Sequence, residues 1–392
     1  MASLQRMGQL EVLRCLIVLG LWHLSLADVD TVKFEPQNSP RFSPSQSSSF
    51  RCVLGTEFGI TYADNTKLKG FEGVDVVQLG AYYVYTRFHA ITQCDSADFN
   101  NISGILGLGL PTIQSAVNLP SIPSKAVPPP LLFDLTDSRI KDNDMNRMLP
   151  RRAFSFLSTP HGAELQLGGY DPASVVGELF VTPSIQMTEY MVPVLSIKYG
   201  EDELLLFSEE DEMVQAVLDS GTSCLVLPDA SGGLLQEKPY SKWLKLIGNR
   251  HAPTSKKSFY VNIAGREFEI PYSTWFGQTG PHSGSACVQR MPPAKGTPVI
   301  LLGDVLFRNY VVMFDISNYG KGPIMLGIGK QNPDYQLASK SETITKLAVS
   351  RLAVTGVHAD GYVPPQASDT LPVYGHYYVD IEIGSPRQKV KV

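Results

Sequence analysis

The chain has 392 residues and a formal net charge of −5, and 43% of its residues are hydrophobic. This length allows two core-bearing domains or one large bilobal domain, and the apolar content excludes an intrinsically disordered chain. The mild acidity gives no support to a nucleic-acid partner. With 33 glycines, 28 prolines and only 18% charged residues, the composition favours a β-rich protein with many turns.

The N-terminus has the pattern of a secretion signal. Arg6 and Arg14 precede an apolar run at 15–22, and the small residue Ala27 ends the segment. This order predicts a signal peptide over residues 1–27, with a buried core helix as the alternative. The apolar run is too short to span a bilayer, and no later stretch approaches that length, so we expect a soluble mature protein without membrane insertion.

Strand patterns dominate the rest of the chain, because apolar residues alternate with polar ones or occur in short β-branched and aromatic runs. Two short helices are also predicted, at Leu131–Asp137 and Leu234–Leu246, the second interrupted by Pro239. Residues 36–50 and 120–130 are loop-like. The predicted strands are Phe58–Tyr62, Val74–Leu79, Tyr82–Thr92, Leu165–Gly168, Met191–Lys198, Leu204–Phe207, Ala216–Asp219, Phe259–Ile263, Val299–Leu302, Tyr310–Asp315 and Ile324–Ile328.

Four cysteines remain after the predicted leader and can oxidise in the secretory pathway. Four allow three pairings, and the sequence cannot choose among them. We expect Cys52–Cys94 and Cys224–Cys287. The sequon at 101–103 is a glycosylation site only if its loop is exposed, and chance occurrence is the alternative.

An acidic cluster at 201–212 raises the question of a metal site, since hard cations take carboxylate oxygens. The cluster lacks the spacing of a calcium-binding loop, so a solvated hairpin is the favoured interpretation. The histidines show no metal-ligand spacing either, and no Cys-x-x-Cys accompanies them.

The segment at 216–223, Ala-Val-Leu-Asp-Ser-Gly-Thr-Ser, carries the clearest chemistry. An apolar strand delivers Asp219 into a tight turn, where Ser220 and Thr222 can donate hydrogen bonds and Gly221 allows close backbone approach. A carboxylate held in this way can remain ionised or share a proton, as acid–base work on a water requires. An ordinary strand-end turn is the structural alternative.

The surroundings of this turn resemble the pepsin-like aspartic proteases, family A1. The turn is similar to their second catalytic loop, and further matches follow in family order over about 34–330. These matches are Phe42-Ser43-Pro44 with Ser47–Phe50 before the flap, Ile60–Asp64 at the flap hairpin, Ser103–Gly109 as the apolar-apolar-Gly strand of the first lobe, and Leu301–Val305 with Phe307–Tyr310 and Val312–Asp315 in the second.

The resemblance implies a bilobal, mainly β fold with a cleft between the lobes. It further implies peptide-bond hydrolysis by two aspartates, one from each lobe, that bind a water and share a proton. By this resemblance Asp219 is the catalytic aspartate, Ser220, Gly221 and Thr222 support it, and Tyr62 is the flap residue over the substrate. No metal or organic cofactor is expected, and polypeptides are the expected substrates of a monomer.

The sequence departs from the family at the first catalytic loop, because Asp219 is the only aspartate in an Asp-[Ser/Thr]-Gly triplet. In the second lobe Gly303 follows Asp219 by 303 − 219 = 84 residues, and counting 84 back from Gly107 reaches residue 23, inside the predicted leader. Residues 374–392 instead resemble the first strands of the family's first lobe, so the order of segments is permuted.

Three explanations of this order compete: a product of truncated or misjoined tandem genes, a permuted inactive relative whose tail folds back onto its first lobe, or an enzyme that borrows an aspartate from a second chain. The predicted divisions are the leader at 1–27, a first lobe at 32–183 and a second lobe at 184–330, a linker or propeptide-like arm at 331–372, and the strand segment at 373–392.

The expected function is therefore an aspartic endopeptidase of the secretory pathway, either secreted or in a vacuole or lysosome-like compartment. The alternative, of a different class, is an inactive peptide-binding protein that keeps the cleft and the flap.

Overall fold

A computed structural model describes most of the chain. The described residues are 41–61, 67–94, 103–111, 130–137, 139–159, 162–206, 214–228, 238–248, 255–276, 286–291, 299–338, 341, 344–353 and 375–392. The predicted leader, the flap residue Tyr62 and Asn101 of the sequon lie outside these residues.

The described residues form a mainly β protein with a few short helices. The strands are β1 (Arg51–Thr61), β2 (Lys67–Leu79), β3 (Tyr82–Cys94), β4 (Ala153–Thr159), β5 (Gly162–Leu167), β6 (Phe180–Pro183), β7 (Met191–Tyr199), β8 (Asp202–Leu206), β9 (Val214–Leu218), β10 (Leu225–Leu227), β11 (Phe259–Ile263), β12 (Arg266–Ile270), β13 (Val288–Arg290), β14 (Val299–Leu302), β15 (Tyr310–Asp315), β16 (Met325–Lys330), β17 (Thr345–Ala353), β18 (Gly375–Tyr378), β19 (Asp380–Ile383) and β20 (Gln388–Lys391). The helices are α1 (Leu131–Leu135), α2 (Pro239–Leu246), α3 (Tyr272–Trp275) and α4 (Asp304–Phe307), with 3₁₀ turns at Pro44–Gln46 and Pro172–Ser174. This architecture is the one that the pepsin-like resemblance implies.

The chain divides into two compact units. Unit 1 comprises the described residues up to Pro150 together with Tyr378–Val392, and unit 2 comprises those of Arg151–Tyr377. This division differs from the predicted boundary at 183, because β4 and β6 pair with β15 and β16 in unit 2.

Unit 1 is built on an antiparallel sheet in which β2 pairs with β1, β3 and β19, and β20 follows β19. Val76, Val77 and Leu79 of β2 and Ile381 and Ile383 of β19 are buried, and Val77 lies opposite Ile383 in the register. The C-terminal strand segment therefore lies in the same sheet as the β1–β2 hairpin.

Unit 2 contains two sheets. One has the order β12-β11-β7-β9-β14-β10-β13, with β8 paired to β7, and it packs on buried aromatic residues including Trp243, Phe259 and Trp275. The other has the order β18-β17-β5-β4-β15-β16-β6. Among the described residues no helix is long and apolar enough to cross a bilayer.

The strand predictions are confirmed best for short alternating segments that are bounded by turns. The predicted bounds of β11, β14 and β15 agree with the structure, and the other predicted strands differ mainly in their ends. The second helix prediction needs a correction at Pro239. This proline is the first residue of α2 and does not interrupt it, because the first helical position has no intrahelical partner for an N–H group.

Two further segments differ from the sequence-based expectation. Residues 103–111 are described without a strand, although the apolar-apolar-Gly pattern predicts one at Ser103–Gly109. Within the predicted arm at 331–372, β17 pairs with β5 from Thr345↔Leu167 to Val349↔Ala163. The polar composition of this arm did not predict β17, because this strand is stabilised by pairing with β5, which is distant in sequence.

The predicted Cys52–Cys94 pairing is wrong, because Cys94 carries a buried thiol while Cys52 belongs to another disulfide. Along β2, Cys52 lies opposite Gly73 and Cys94 lies opposite Leu68, from strands on opposite sides of β2. Cys52 and Cys94 are therefore separated by two strand spacings of about 4.8 Å each, which is more than the Cα–Cα distance of about 4.4–6.8 Å that a disulfide spans. The predicted Cys224–Cys287 disulfide is present, with a Cα–Cα distance of 4.7 Å.

Candidate active site

Strand β9 belongs to the sheet β12-β11-β7-β9-β14-β10-β13 of unit 2, and Asp219 follows its last residue at the start of a turn. Val214, Ala216 and Leu218 of β9 are buried, which fixes the strand in the core. Strand β14 runs parallel to β9 with Leu302 opposite Leu218, and the Asp219 N–H donates to Leu302 O at 3.1 Å. The half-buried Asp219 is therefore held at the end of a rigid strand pair.

The turn after β9 supplies two donors to the Asp219 carboxylate. The Gly221 N–H donates to Oδ1 at 2.9 Å, and the Thr222 hydroxyl donates to Oδ2 at 2.6 Å. A β-carbon at Gly221 would lie 3.1 Å from Oδ1, so a larger residue would crowd the carboxylate. Two donors to one carboxylate fix its orientation.

The turn crosses the end of β14, which lies between the strands β9 and β10 that the turn connects. Gly303 follows β14 and touches the turn so closely that a β-carbon there would lie 2.4 Å from Thr222 O. The first two N–H groups of α4 bind the turn, Asp304 N to Thr222 O at 2.7 Å and Val305 N to Ser223 O at 3.2 Å. Backbone contacts from a distant segment thus determine the shape of the turn.

The Cys224–Cys287 disulfide lies directly after the turn, and both cysteines are buried. The Leu225 N–H donates to Cys287 O at 3.1 Å, and the Cys287 N–H donates to Trp275 O at 2.6 Å. The end of the turn at Cys224 is thereby connected through Cys287 to Trp275 in the aromatic core of unit 2.

The structure brings Asp219, Ser220, Gly221 and Thr222 together in this turn, with Ser220 exposed. Tyr62 is outside the described residues, and the β1–β2 hairpin that leads to it is described up to the pair Thr61↔Lys67. Across the described part of the chain, no group of three or more histidine, cysteine, aspartate or glutamate side chains could hold a metal ion.

The resemblance predicts that residues 103–109 of unit 1 correspond to β14, although these residues form no strand. The Ser103 N–H donates to Lys391 O at 2.7 Å, and a β-carbon at Gly104 would lie 3.5 Å from Val392 Cγ1. At Gly107, however, no atom of the described residues would lie within 4 Å of a β-carbon. Its counterpart Gly303 is pressed against a turn, whereas Gly107 borders open space in the described structure.

The sequence pattern missed the contacts that link this site to the end of the chain. Asp304 is 2% exposed and accepts hydrogen bonds from Ser158 Oγ at 2.8 Å and Tyr377 OH at 2.6 Å, and its ion pair with Arg308 Nε measures 2.6 Å. In the sequence, only the presence of a charged residue inside the apolar segment 301–307 indicated that Asp304 has a special role. Its partners could not be found by local reasoning, because they come from distant strands.

Comparison with known proteins agrees with this geometry. A family model described as eukaryotic aspartyl protease matches residues 21–322. Vacuolar protease A of Aspergillus fumigatus is 28% identical over 293 residues, which cover 72% of this chain and 67% of that protein. Aspartic proteinase yapsin-3 of Saccharomyces cerevisiae is 23% identical over 318 residues, covering 74% of this chain and 58% of that protein. Pepsin A of Gallus gallus is 26% identical over 294 residues, covering 72% and 71%.

Proposed function

This chain belongs to the eukaryotic aspartyl protease family, and we propose that it is an aspartic endopeptidase in which Asp219 activates a water for peptide-bond hydrolysis. One observation carries the proposal. The Asp219 carboxylate is held at the end of β9 by the Gly221 N–H and the Thr222 hydroxyl. This arrangement suits a group that must orient a water and exchange a proton with it.

The chemistry follows from the position of the carboxylate. A half-buried carboxylate with two fixed donors accepts a hydrogen bond from water and removes its proton as the water attacks a carbonyl carbon. Protonation of the carbonyl oxygen needs a second acid, which family membership assigns to a carboxyl group that shares a proton with Asp219. Such a pair works at acidic pH, since one of its two members must remain protonated.

A second candidate function is peptide binding without hydrolysis. Asp219 is the only aspartate of the sequence in an Asp-[Ser/Thr]-Gly triplet, and the surroundings of Gly107 are open among the described residues. A chain with one catalytic carboxylate retains a surface for extended peptides but lacks the acid for the carbonyl. Both functions have polypeptides as ligands.

The proposed compartment is the secretory pathway, ending in secretion or in a vacuole or lysosome-like organelle. The basic and apolar N-terminal pattern, the disulfide between Cys224 and Cys287, and the name of the vacuolar relative support this location. Metal and organic cofactors have no part in the proposed reaction. We propose a monomer, with Ser220, Gly221 and Thr222 as supports of Asp219 and Tyr62 as the flap residue.

The test is cleavage of a denatured protein at acidic pH, with and without a statine-type inhibitor. We expect inhibitor-sensitive cleavage by the wild type and none by Asp219→Asn, which keeps the shape of the side chain and removes its charge. Asp334→Asn is the matched control, because Asp334 is exposed and belongs to another segment of unit 2.

The result separates the two functions. Cleavage that Asp219→Asn abolishes and Asp334→Asn preserves would exclude the peptide-binding function as the whole activity. A folded wild type that binds the inhibitor but leaves the substrate intact would overturn the endopeptidase.

A further inference from the structure

Asp304 joins three distant segments of unit 2 next to the candidate site. It follows Gly303 at the start of α4, and its side chain is 2% exposed. Ser158 of β4 and Tyr377 of β18 both donate to Oδ1, at 2.8 and 2.6 Å, and Arg308 donates to Oδ2 at 2.6 Å. A buried carboxylate with these charged and neutral donors has one well-defined position.

The main chain of Asp304 contacts the turn that carries Asp219. The Asp304 N–H donates to Thr222 O at 2.7 Å, and the hydroxyl of the same threonine donates to Asp219 Oδ2 at 2.6 Å. The phenol of Tyr377 is thus connected to the Asp219 carboxylate through two intervening residues, Asp304 and Thr222. Every step is a short hydrogen bond between half-buried or buried groups.

We propose that Tyr377 is a positioning residue for Asp219, acting through Asp304 and Thr222, so that the candidate site is ordered only when Tyr377 occupies its observed position in unit 2. This inference rests on the role proposed for Asp219. It assigns to the C-terminal segment a part in the site that the Asp219 turn by itself does not reveal.

The packing of Tyr377 supports this role. Its ring contacts Phe156 edge-on with centroids 5.2 Å apart, and Phe156 contacts Phe307 of α4 at 5.8 Å. The hydroxyl of Tyr377 therefore contacts the first residue of α4 directly, while its ring reaches the last residue, Phe307, only through Phe156. Loss of the hydroxyl alone leaves the aromatic contacts in place.

The decisive variant is Tyr377→Phe, measured by amide hydrogen exchange and by peptidase kinetics in the full chain. We expect exchange in residues 219–224 and at the Asp304 amide to rise about tenfold, while exchange in β11 and β12 stays unchanged. In the kinetic assay we expect kcat to fall about 3- to 30-fold with KM within about twofold, the size typical of coupling through a contact network.

Tyr335→Phe is the matched control. Tyr335 also donates its hydroxyl to a buried carboxylate, Glu164 Oε1 at 2.7 Å, in a network with Gln166 and Ala338. We expect this variant to leave both the exchange of 219–224 and kcat unchanged. If Tyr377→Phe does not fold, Ser158→Ala removes another donor to the same oxygen of Asp304 and is expected to have the same local effect.

The outcomes are distinguishable. Unchanged amide exchange at 219–224 in Tyr377→Phe would overturn the inference. A uniform rise of exchange across unit 2, or an equal effect of Tyr335→Phe, would also overturn it, because either result would indicate that Tyr377 has a purely structural role. The exchange measurement needs no activity, so an inactive wild type would count against the proposed endopeptidase and not against the positioning role.

Discussion

Gly303 faces the main-chain oxygen of Thr222 so closely that a β-carbon at residue 303 would lie 2.4 Å from it and 2.5 Å from Cys224 O. Both neighbours are backbone atoms, which cannot rotate away as a flexible side chain can. The φ of Gly303 is −82°, a value open to any residue, so the requirement for glycine is one of space and not of backbone conformation.

Gly303→Ala is therefore expected to displace the Asp219 turn. We expect peptidase activity to fall at least about tenfold and the free energy of unfolding to fall by about 1–3 kcal/mol, as in other overpacked sites. Activity assays and denaturant unfolding measure the two effects. Gly107→Ala is the control, because no described atom lies within 4 Å of its β-carbon position, and an equal loss in both variants would contradict the steric argument.

The Thr222 hydroxyl is expected to matter for activity more than for folding. Thr222→Val keeps the branched shape but removes the donor 2.6 Å from Asp219 Oδ2. A hydrogen bond to a charged group contributes about 1.5–3 kcal/mol, so we expect kcat/KM to fall about 10- to 150-fold. Thr222→Ser retains a hydroxyl and should keep most of the activity; similar losses in the serine and valine variants would contradict this assignment.

The Cys224–Cys287 disulfide closes a loop of 63 residues next to the turn. The chain-entropy relation gives about 4 kcal/mol for a loop of this length, and measured values are commonly 2–4 kcal/mol. We expect Cys224→Ser/Cys287→Ser to lower the unfolding free energy by this amount and to reduce activity, measured by urea unfolding and peptide cleavage. Cys94→Ala, which removes the buried thiol of unit 1, should leave Asp219-dependent cleavage unchanged.

The attachment of β17 to β5 is expected to depend on pH through Asp171 and Lys346, which form a half-buried ion pair. Burial raises the pKa of Asp171, but hydrogen bonds from Lys346 and the Ala173 amide outweigh it, so this pKa lies below its ordinary value. Burial lowers the pKa of Lys346, and the bonds to Asp171 and Tyr335 outweigh that effect, so this pKa is raised.

The signs define the pH range of this contribution. Asp171 stabilises the fold above its unfolded pKa, near 3.9, and the effect is lost as pH falls through the lower folded value. Lys346 stabilises below its unfolded pKa, near 10.4, and the effect is lost as pH rises through the folded value. We expect exchange in 345–353 to increase at the acid extreme, and Asp171→Asn to raise exchange at neutral pH and to flatten this acid dependence. An unchanged acid profile in Asp171→Asn would contradict the assignment.

Local patterns predicted the elements of this protein well. Strands β11, β14 and β15 were predicted at their observed bounds, because a short run of alternating or apolar residues bounded by turn residues favours a strand over a helix. The turn at Asp219 was identified from eight residues, since the motif itself requires a strand followed by small hydroxyl residues. Long-range pairings were less accessible, as the Cys52–Cys94 expectation and the strand β17 in a polar arm show.

The sequence by itself determined the mainly β composition, the family and the identity of the candidate carboxylate. Each of these follows from residues that are close in the chain. Only the tertiary structure decided that Gly303 and Asp304 shape the turn of Asp219, that Tyr377 is linked to it through Asp304, and that β19 completes the sheet of β2. These contacts join segments far apart in sequence, and their geometry depends on how the strands are ordered in each sheet, which no local pattern encodes.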